Sequence, residues 1–361
     1  MIVLAGGAAV SAVSRPTDRA SNAVAVDRPP ASTTSTAPTT TTTFRDPRRG
    51  NGQAVTFAFG GDVHFEGPLQ GKLAADPATV LSPAAPMLSL ADIAMVNLES
   101  AITEGGVAQI KEWTFRTPAN SLDALRAAGI DVATQANNHG LDYGPQGLAD
   151  SLAAKAEKQF PVLGIGANAT EAYAPYRAEV KGQRIAIFAA TDVLGEENVA
   201  SWTATDTQGG LASTKYDAEA RMVAAIQAVR PEVDTVVVDL HWGVERTDCP
   251  SPRQQALAQV LTDAGADIVV GSHAHHLIGA GRLGTAFVGY GLGNFVFFNE
   301  TGEYGRTGVL TVTATGRDVD AYQWTPARIK SGVATPIPAG PEADAELAHW
   351  NELRACTGLA P

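Results

Sequence analysis

The chain has 361 residues, a formal charge of -12 and an apolar share of 45%, an ordinary balance for a soluble globular protein of one large domain or two smaller ones. Residues 1–50 carry six arginines and three aspartates, so the remainder is more acidic still; an acidic body excludes nucleic acid as a general partner, because neutralising phosphates takes Lys and Arg. With only two cysteines, Cys249 and Cys356, neither a thiolate zinc knuckle nor a disulfide-dense scaffold is available.

Residues 1–13 are apolar and rich in small side chains, but too short for a membrane-spanning helix of about 20 residues. They read as the h-region of a secretory signal without its basic n-region, or as the remnant of a membrane anchor. Residues 14–53 include the Thr/Ser/Pro run 29–43, which cannot bury a core and reads as an extended, disordered stalk. An extracytoplasmic protein is expected, secreted or tethered to membrane or cell wall through its N-terminus. A bridge between Cys249 and Cys356 would pin the C-terminus in an oxidising compartment, provided their Cα atoms come within bonding range.

From residue 54, short apolar runs at 55–59, 93–96, 130–133, 185–189, 233–240 and 268–270 alternate with amphipathic segments at 121–128, 145–158, 217–229 and 252–264. This alternation predicts an α/β architecture with strands buried under helices. Gly129 and Gly265 follow two of the helical segments, as glycine C-caps do. After His276 the runs at 277–278, 285–288, 309–313 and 318–324 are separated by glycines without intervening helices, which predicts an antiparallel section. Residues 342–353 predict a closing helix. The expected organisation is a domain over 54–330 and a C-terminal extension over 331–361.

In open α/β sheets, ligands bind beyond the carboxyl ends of the strands. Asp62 and His64 follow the first run; Asn97 and Glu99 follow the second; Asn137, Asn138 and His139 follow the third. His241 and Glu245 follow the run ending at Leu240, and His273 and His275 follow Val270. Six of the seven histidines therefore fall in strand-end loops. If the backbone stays extended, His273 and His275 project to one side and His276 to the other. Imidazole, carboxylate and amide oxygen without thiolate suit Mn, Fe, Zn or Mg. Seven candidate donors exceed what one tetrahedral ion needs, so two divalent ions sharing a bridging carboxylate are expected.

The series GGDVH, VNLES, ANNHGLDYG, HWGVE, GSHAHH and GYGLGNFVF resembles, in order and spacing, the CapA-like proteins of poly-γ-glutamate capsule biosynthesis, within the calcineurin-like metallophosphatase superfamily. The resemblance spans roughly residues 54–300. It implies a two-sheet β-sandwich flanked by helices, a four-layer αββα arrangement with metal at one edge. Asp62 and His64 match the opening Asp-x-His, and Glu99 stands at the metal-bridging carboxylate. Asn138 and His139 match the Asn-His pair, with the histidine as the acid that protonates the leaving group. His241 matches the isolated histidine ligand, and His273 and His275 the closing His-x-His. The second motif departs from the superfamily in using Asn-Leu-Glu, whose longer carboxylate changes the reach, and Asn137 replaces the usual glycine before Asn-His.

Asp142 either orients His139 as a second carboxylate behind the imidazole or caps the next helix. Asn97, Asn137, Glu245 and Asn294 are candidates for substrate contact, and Trp242 either lines the site or is buried against the core. Two functional classes remain. One is a metal-dependent hydrolase in which metal-activated hydroxide attacks a phosphoester or amide of an anionic cell-surface polymer or its precursor. The other is a non-catalytic polymer-binding or scaffold subunit of a membrane-bound capsule synthase.

Overall fold

The computed structural model describes residues 45–361; the apolar segment 1–13 and the Thr/Ser/Pro run lie outside the described residues. The chain first lays down four parallel strands, β1 (Val55–Val63), β2 (Ile93–Leu98), β3 (Val132–Thr134) and β4 (Val162–Leu163), linked through helices α1 (Pro68–Ala75), α2 (Ser121–Ala127) and α3 (Gly144–Lys158). It then builds a second sheet from β5 (Tyr176–Val180), β6 (Gln183–Thr191), β7 (Thr235–His241), β8 (Ile268–Ser272), β9 (Leu277–Leu283) and β10 (Ala286–Leu292), with α4 (Ala218–Val229) and α5 (Pro252–Ala264) as crossovers. Finally β11 (Asn294–Val296), β12 (Arg306–Thr315), β13 (Asp318–Lys330) and β14 (Val333–Pro336) return to the first sheet and complete it to eight strands.

Side-chain alternation along the strands divides the apolar residues into three layers. Phe57, Phe59, Ile93, Met95 and Val132 of the first sheet meet Ile187, Val237, Ile268 and Val270 of the second in one core between the sheets. Ala94, Val96 and Leu98 face the other way, onto α1 to α3, while Val236, Val238 and Val269 face α4 and α5. The result is the expected four-layer αββα sandwich. The local signals act as read: Ser251 and Gln254 form a capping box on α5, Pro252 opens it, and Gly265 ends it at φ 117°.

Both ends of the described chain depart from the expected boundaries. Residues 45–53, placed in the linker by composition, are tied to both sheets: Arg45 pairs with Asp234 at 2.5 Å, and Arg48 and Arg49 with Asp318 at 2.6 and 3.0 Å. Composition misses this because the attachment uses arginines rather than apolar residues. Residues 331–361 are no appendage either. β14 pairs with β13 and β11, and the closing helix α6 (Pro341–Glu352) puts Trp350 into the inter-sheet core, stacked on Trp324 at 5.3 Å. Among the described residues no helix is long and apolar enough to cross a membrane.

Cys249 and Cys356 form a disulfide, with Cα atoms 5.7 Å apart and a sequence separation of 107. Closing a loop of that length removes much chain entropy from the unfolded state. Replacing Cys356 with serine is expected to lower unfolding stability by about 2–4 kcal/mol. Urea denaturation measures this, and a reductant should bring wild type down to the variant while leaving the variant unchanged.

Candidate metal centre

The carboxyl ends of β1, β2, β3, β7 and β8 converge at one edge of the inter-sheet layer. On β2, Ile93 and Met95 face the second sheet, so strict alternation carries Asn97 and then Glu99 onto the same face. On β7, Val237 sets the same parity for Asp239 and His241. Asp62 reaches that face differently. Phe57 and Phe59 point between the sheets while Val63 points to the helices, so the phase reverses at Gly60 and Gly61, where the register of β1 shifts. The irregularity re-aims Asp62, as bulges beside functional sites do. Gly61 is required there, because a Cβ would collide with the carbonyl of Gly293, which accepts the Asp62 N–H at 2.9 Å.

His273 and His275 do not continue the extended strand. Their φ angles are 100° and 57°, left-handed values that cost about 1–3 kcal/mol each for residues other than glycine. The two imidazoles meet the site because the chain turns beneath them, not because β8 pleats. His276 has its Nδ1 engaged by Asp248 at 2.8 Å.

Two groups of side chains present donor atoms within 4.8 Å of one another: Glu99, His241 and His273 form one, and Asp62, Glu99 and His275 the other. In the first, His241 Nε2 lies 3.5 Å from Glu99 Oε1, 3.1 Å from His273 Nδ1 and 2.7 Å from the amide oxygen of Asn138. In the second, His275 Nδ1 lies 3.4 Å from Asp62 Oδ2. Glu99 belongs to both. Its two oxygens are buried and neither has a hydrogen-bond partner, an arrangement that a cation would satisfy.

The electrostatics agree with that vacancy of charge. Burial and the neighbouring Asp62 push the Glu99 carboxyl well up. Burial pushes His273 down to about 3 and His241 well below the usual imidazole range, so both are neutral with a lone pair to offer. For His275 burial works against protonation, yet the carboxylates of Glu99 and Asp62 prevail and lift it to about 9. Asp239, beneath the cluster, is raised to about 8 by burial and Asp62.

His64 is brought into neither group. It is packed among Phe115, Phe297 and Phe298, and its Nδ1 accepts the Glu66 N–H at 3.0 Å. Its Nε2 is buried without a partner. Asn97, Asn137 and Asn294 are fully buried, so they brace the site from below and do not face a substrate. Asn97 donates to Asp62 at 2.8 Å and contacts His241 Nδ1 at 3.0 Å; Asn137 donates to Asn97, and Asn294 contacts His275 Nδ1 at 2.9 Å. Glu245 is exposed and lines a cavity of about 170 Å³ with His139, His275, Trp113 and Phe298. Trp242 is buried and donates to the Tyr290 carbonyl at 2.9 Å.

His139 sits beside the donor groups, with Nε2 3.9 Å from Glu99 and Nδ1 2.5 Å from Asp142. Asp142 makes no cap to α3; it takes the Phe115 N–H at 2.7 Å and the Lys111 ammonium at 2.8 Å. Lys111 also reaches the Asn138 carbonyl at 2.6 Å. Nothing in the sequence marks this lysine, since it stands in an irregular loop between two short strands.

The family model described as bacterial capsule synthesis protein PGA_cap matches residues 56–299. The capsule biosynthesis protein CapA of Bacillus anthracis is 38% identical over 178 residues, covering 49% of this chain and 42% of that protein. The PGA biosynthesis protein CapA of Bacillus subtilis is 32% identical over 256 residues, covering 68% and 66%. The chain thus spans less than two thirds of the length of these relatives. A solved structure of a putative 5'-nucleotidase from Staphylococcus aureus aligns at a TM-score of 0.49 and 14% identity, covering 83% of this chain and 58% of that one.

Two outcomes are expected. Metal uptake must displace the proton that Glu99 and Asp62 hold on His275, so affinity rises with pH toward about 9 and binding releases protons. Calorimetry in buffers of different ionisation enthalpy measures both. Glu99→Gln should strip metal from both groups, which elemental analysis tests.

Proposed function

The chain belongs to the bacterial capsule synthesis protein PGA_cap family, and from that premise we propose that it is an exported, metal-dependent hydrolase acting in the synthesis, release or anchoring of an anionic cell-surface polymer of the poly-γ-glutamate type. The observation that carries the reading is the pair of donor groups sharing Glu99, whose oxygens have no other partner. Two divalent ions, of Mn, Fe, Zn or Mg, fit this set: Glu99, His241 and His273 with the Asn138 amide oxygen would hold one, and Asp62, Glu99 and His275 the other. Bound there, such ions would polarise the scissile oxygen and make hydroxide available near neutral pH.

The chain's own residues do the remaining work. The Asp142 carboxylate accepts from His139 Nδ1 and favours the imidazolium, against the burial that lowers the ring's pKa; in that form the proton on Nε2 faces the donor groups and the cavity, where it can pass to a departing oxygen or nitrogen. Lys111 and the Phe115 N–H hold Asp142 in turn. Trp113 and Phe298, 57% and 41% exposed, form the cavity's aromatic lip, and Glu245 stands where a substrate would pass. Export is supported by the disulfide, which persists in oxidising compartments. Partners in this reading are the polymer or its precursor and the subunits of a membrane synthase.

The test is a comparison of leaving groups on metal-loaded protein. His139→Ala should lower turnover of phosphoesters or γ-glutamyl amides with poorly stabilised leaving groups by about 10²–10⁴-fold. A p-nitrophenyl ester, whose leaving group needs no proton, should lose far less, and metal content should be unchanged. Equal losses on both substrates would remove His139 as the acid. If cells carrying His139→Ala make polymer normally, the protein acts as a scaffold instead.

A further inference from the structure

A second cavity, of about 370 Å³, opens at the opposite edge of the sandwich from the metal centre, and Arg48, Arg230 and Arg317 line it. Its walls are the carboxy-terminal end of α5, the turn between β9 and β10 and the turn between β12 and β13. In a chain with a net charge of -12, three arginines around one cavity call for an account of their charges. Two are already matched. Arg230 pairs with Asp267 at 2.5 Å and donates to the carbonyls of Gly265, Val233 and Asp234, and Arg48 pairs with Asp318 at 2.6 Å.

Arg317 differs. Among the described residues its half-buried guanidinium donates to no carboxylate and no carbonyl, and its Nε is buried without an acceptor, as is that of Arg230. Its position is nonetheless fixed. Gly316, at φ 61°, has no room for a side chain against the Arg48 carbonyl. Its own carbonyl accepts the Thr235 hydroxyl at 2.7 Å, and the Arg317 N–H donates to Arg48 at 2.6 Å. A guanidinium offers a planar fork of donors matched to an oxoanion, and holding it on a pinned turn reduces the ordering cost of binding. Asp263 is also on the rim, but its carboxylate accepts from Gln259 at 2.8 Å.

We propose that this cavity is a second ligand site, separate from the metal centre, which binds one carboxylate or phosphate group through Arg317. One unmatched guanidinium sets the stoichiometry at a single anionic group. The Thr285 side chain on the wall provides a neutral hydrogen-bonding group beside it. The same chemistry is offered by a side-chain carboxylate of an anionic polymer and by free phosphate.

The experiment is titration calorimetry of the full chain, stripped of metal with a chelator so that anions have no ion to bind, using glutarate and inorganic phosphate as probes. Wild type is expected to bind at least one of them with a stoichiometry of one. Arg317→Gln should weaken that binding at least tenfold, Arg317→Lys should weaken it less, and His273→Ala should leave it within twofold. A preference for glutarate assigns the site to polymer carboxylates, and a preference for phosphate to the free ion. The proposal is overturned if wild type binds neither probe, if Arg317→Gln binds as wild type does, or if His273→Ala is the variant that loses binding. Unfolding curves of both Arg317 variants check that the turn is intact, and neither outcome depends on catalysis.

Discussion

A carboxylate taken out of water without a hydrogen bond is among the most costly things a fold can contain, and Glu99 is one, with Asp62 close enough to raise its pKa further. The surrounding structure can be understood as the set of responses to that charge. His275 keeps a proton well above the usual imidazole range by facing both carboxylates, whereas His241 and His273 stay neutral at nearby positions. Asn97, Asn137 and Asn294 below the cluster spend their amides on ligand side chains and backbone.

Holding such a cluster requires backbone that the two sheets would not adopt by themselves. β1 breaks its alternation at two glycines so that Asp62 turns inward, and Gly293 passes close enough to accept its N–H. The chain after β8 enters the left-handed region at two histidines. Both distortions lie within a few residues of the donor atoms. Rigid layers packed on either side supply the stability that keeps the strained segments in place.

The two edges of the sandwich are chemically different for a topological reason. Parallel strands deliver all their carboxyl ends to one edge, and the loops there are free to carry histidine and carboxylate. The opposite edge receives helix ends and hairpin turns, and there the arginines tie layers together: Arg230 bridges α5 to β7 and β8, and Arg45, Arg48 and Arg49 fasten the start of the described chain. Arg317 lies in that second set without the matching acid that the others have. The disulfide joins the loop after β7, which carries Glu245, to the end of the chain, so the C-terminal segment also braces one wall of the metal edge.

Much of this was legible in the order of residues. Apolar runs and glycine caps place the strands and helices, because periodicity and capping are local properties, and Asn97, Glu99 and His241 inherit their direction from strand parity alone. The strand-end histidines and carboxylates and the family resemblance likewise follow from linear order. What tertiary structure decided depends on contacts between distant segments. The inward turn of Asp62 comes from a register shift against β2, and the convergence of His273 and His275 from a left-handed turn. His64 is withdrawn into an aromatic cage by Phe115 and Phe297, and Lys111 reaches Asp142 from an irregular loop. Whether Asp142 caps a helix or orients His139, and whether Cys249 meets Cys356, are likewise questions of distance between segments, which pattern and spacing do not encode.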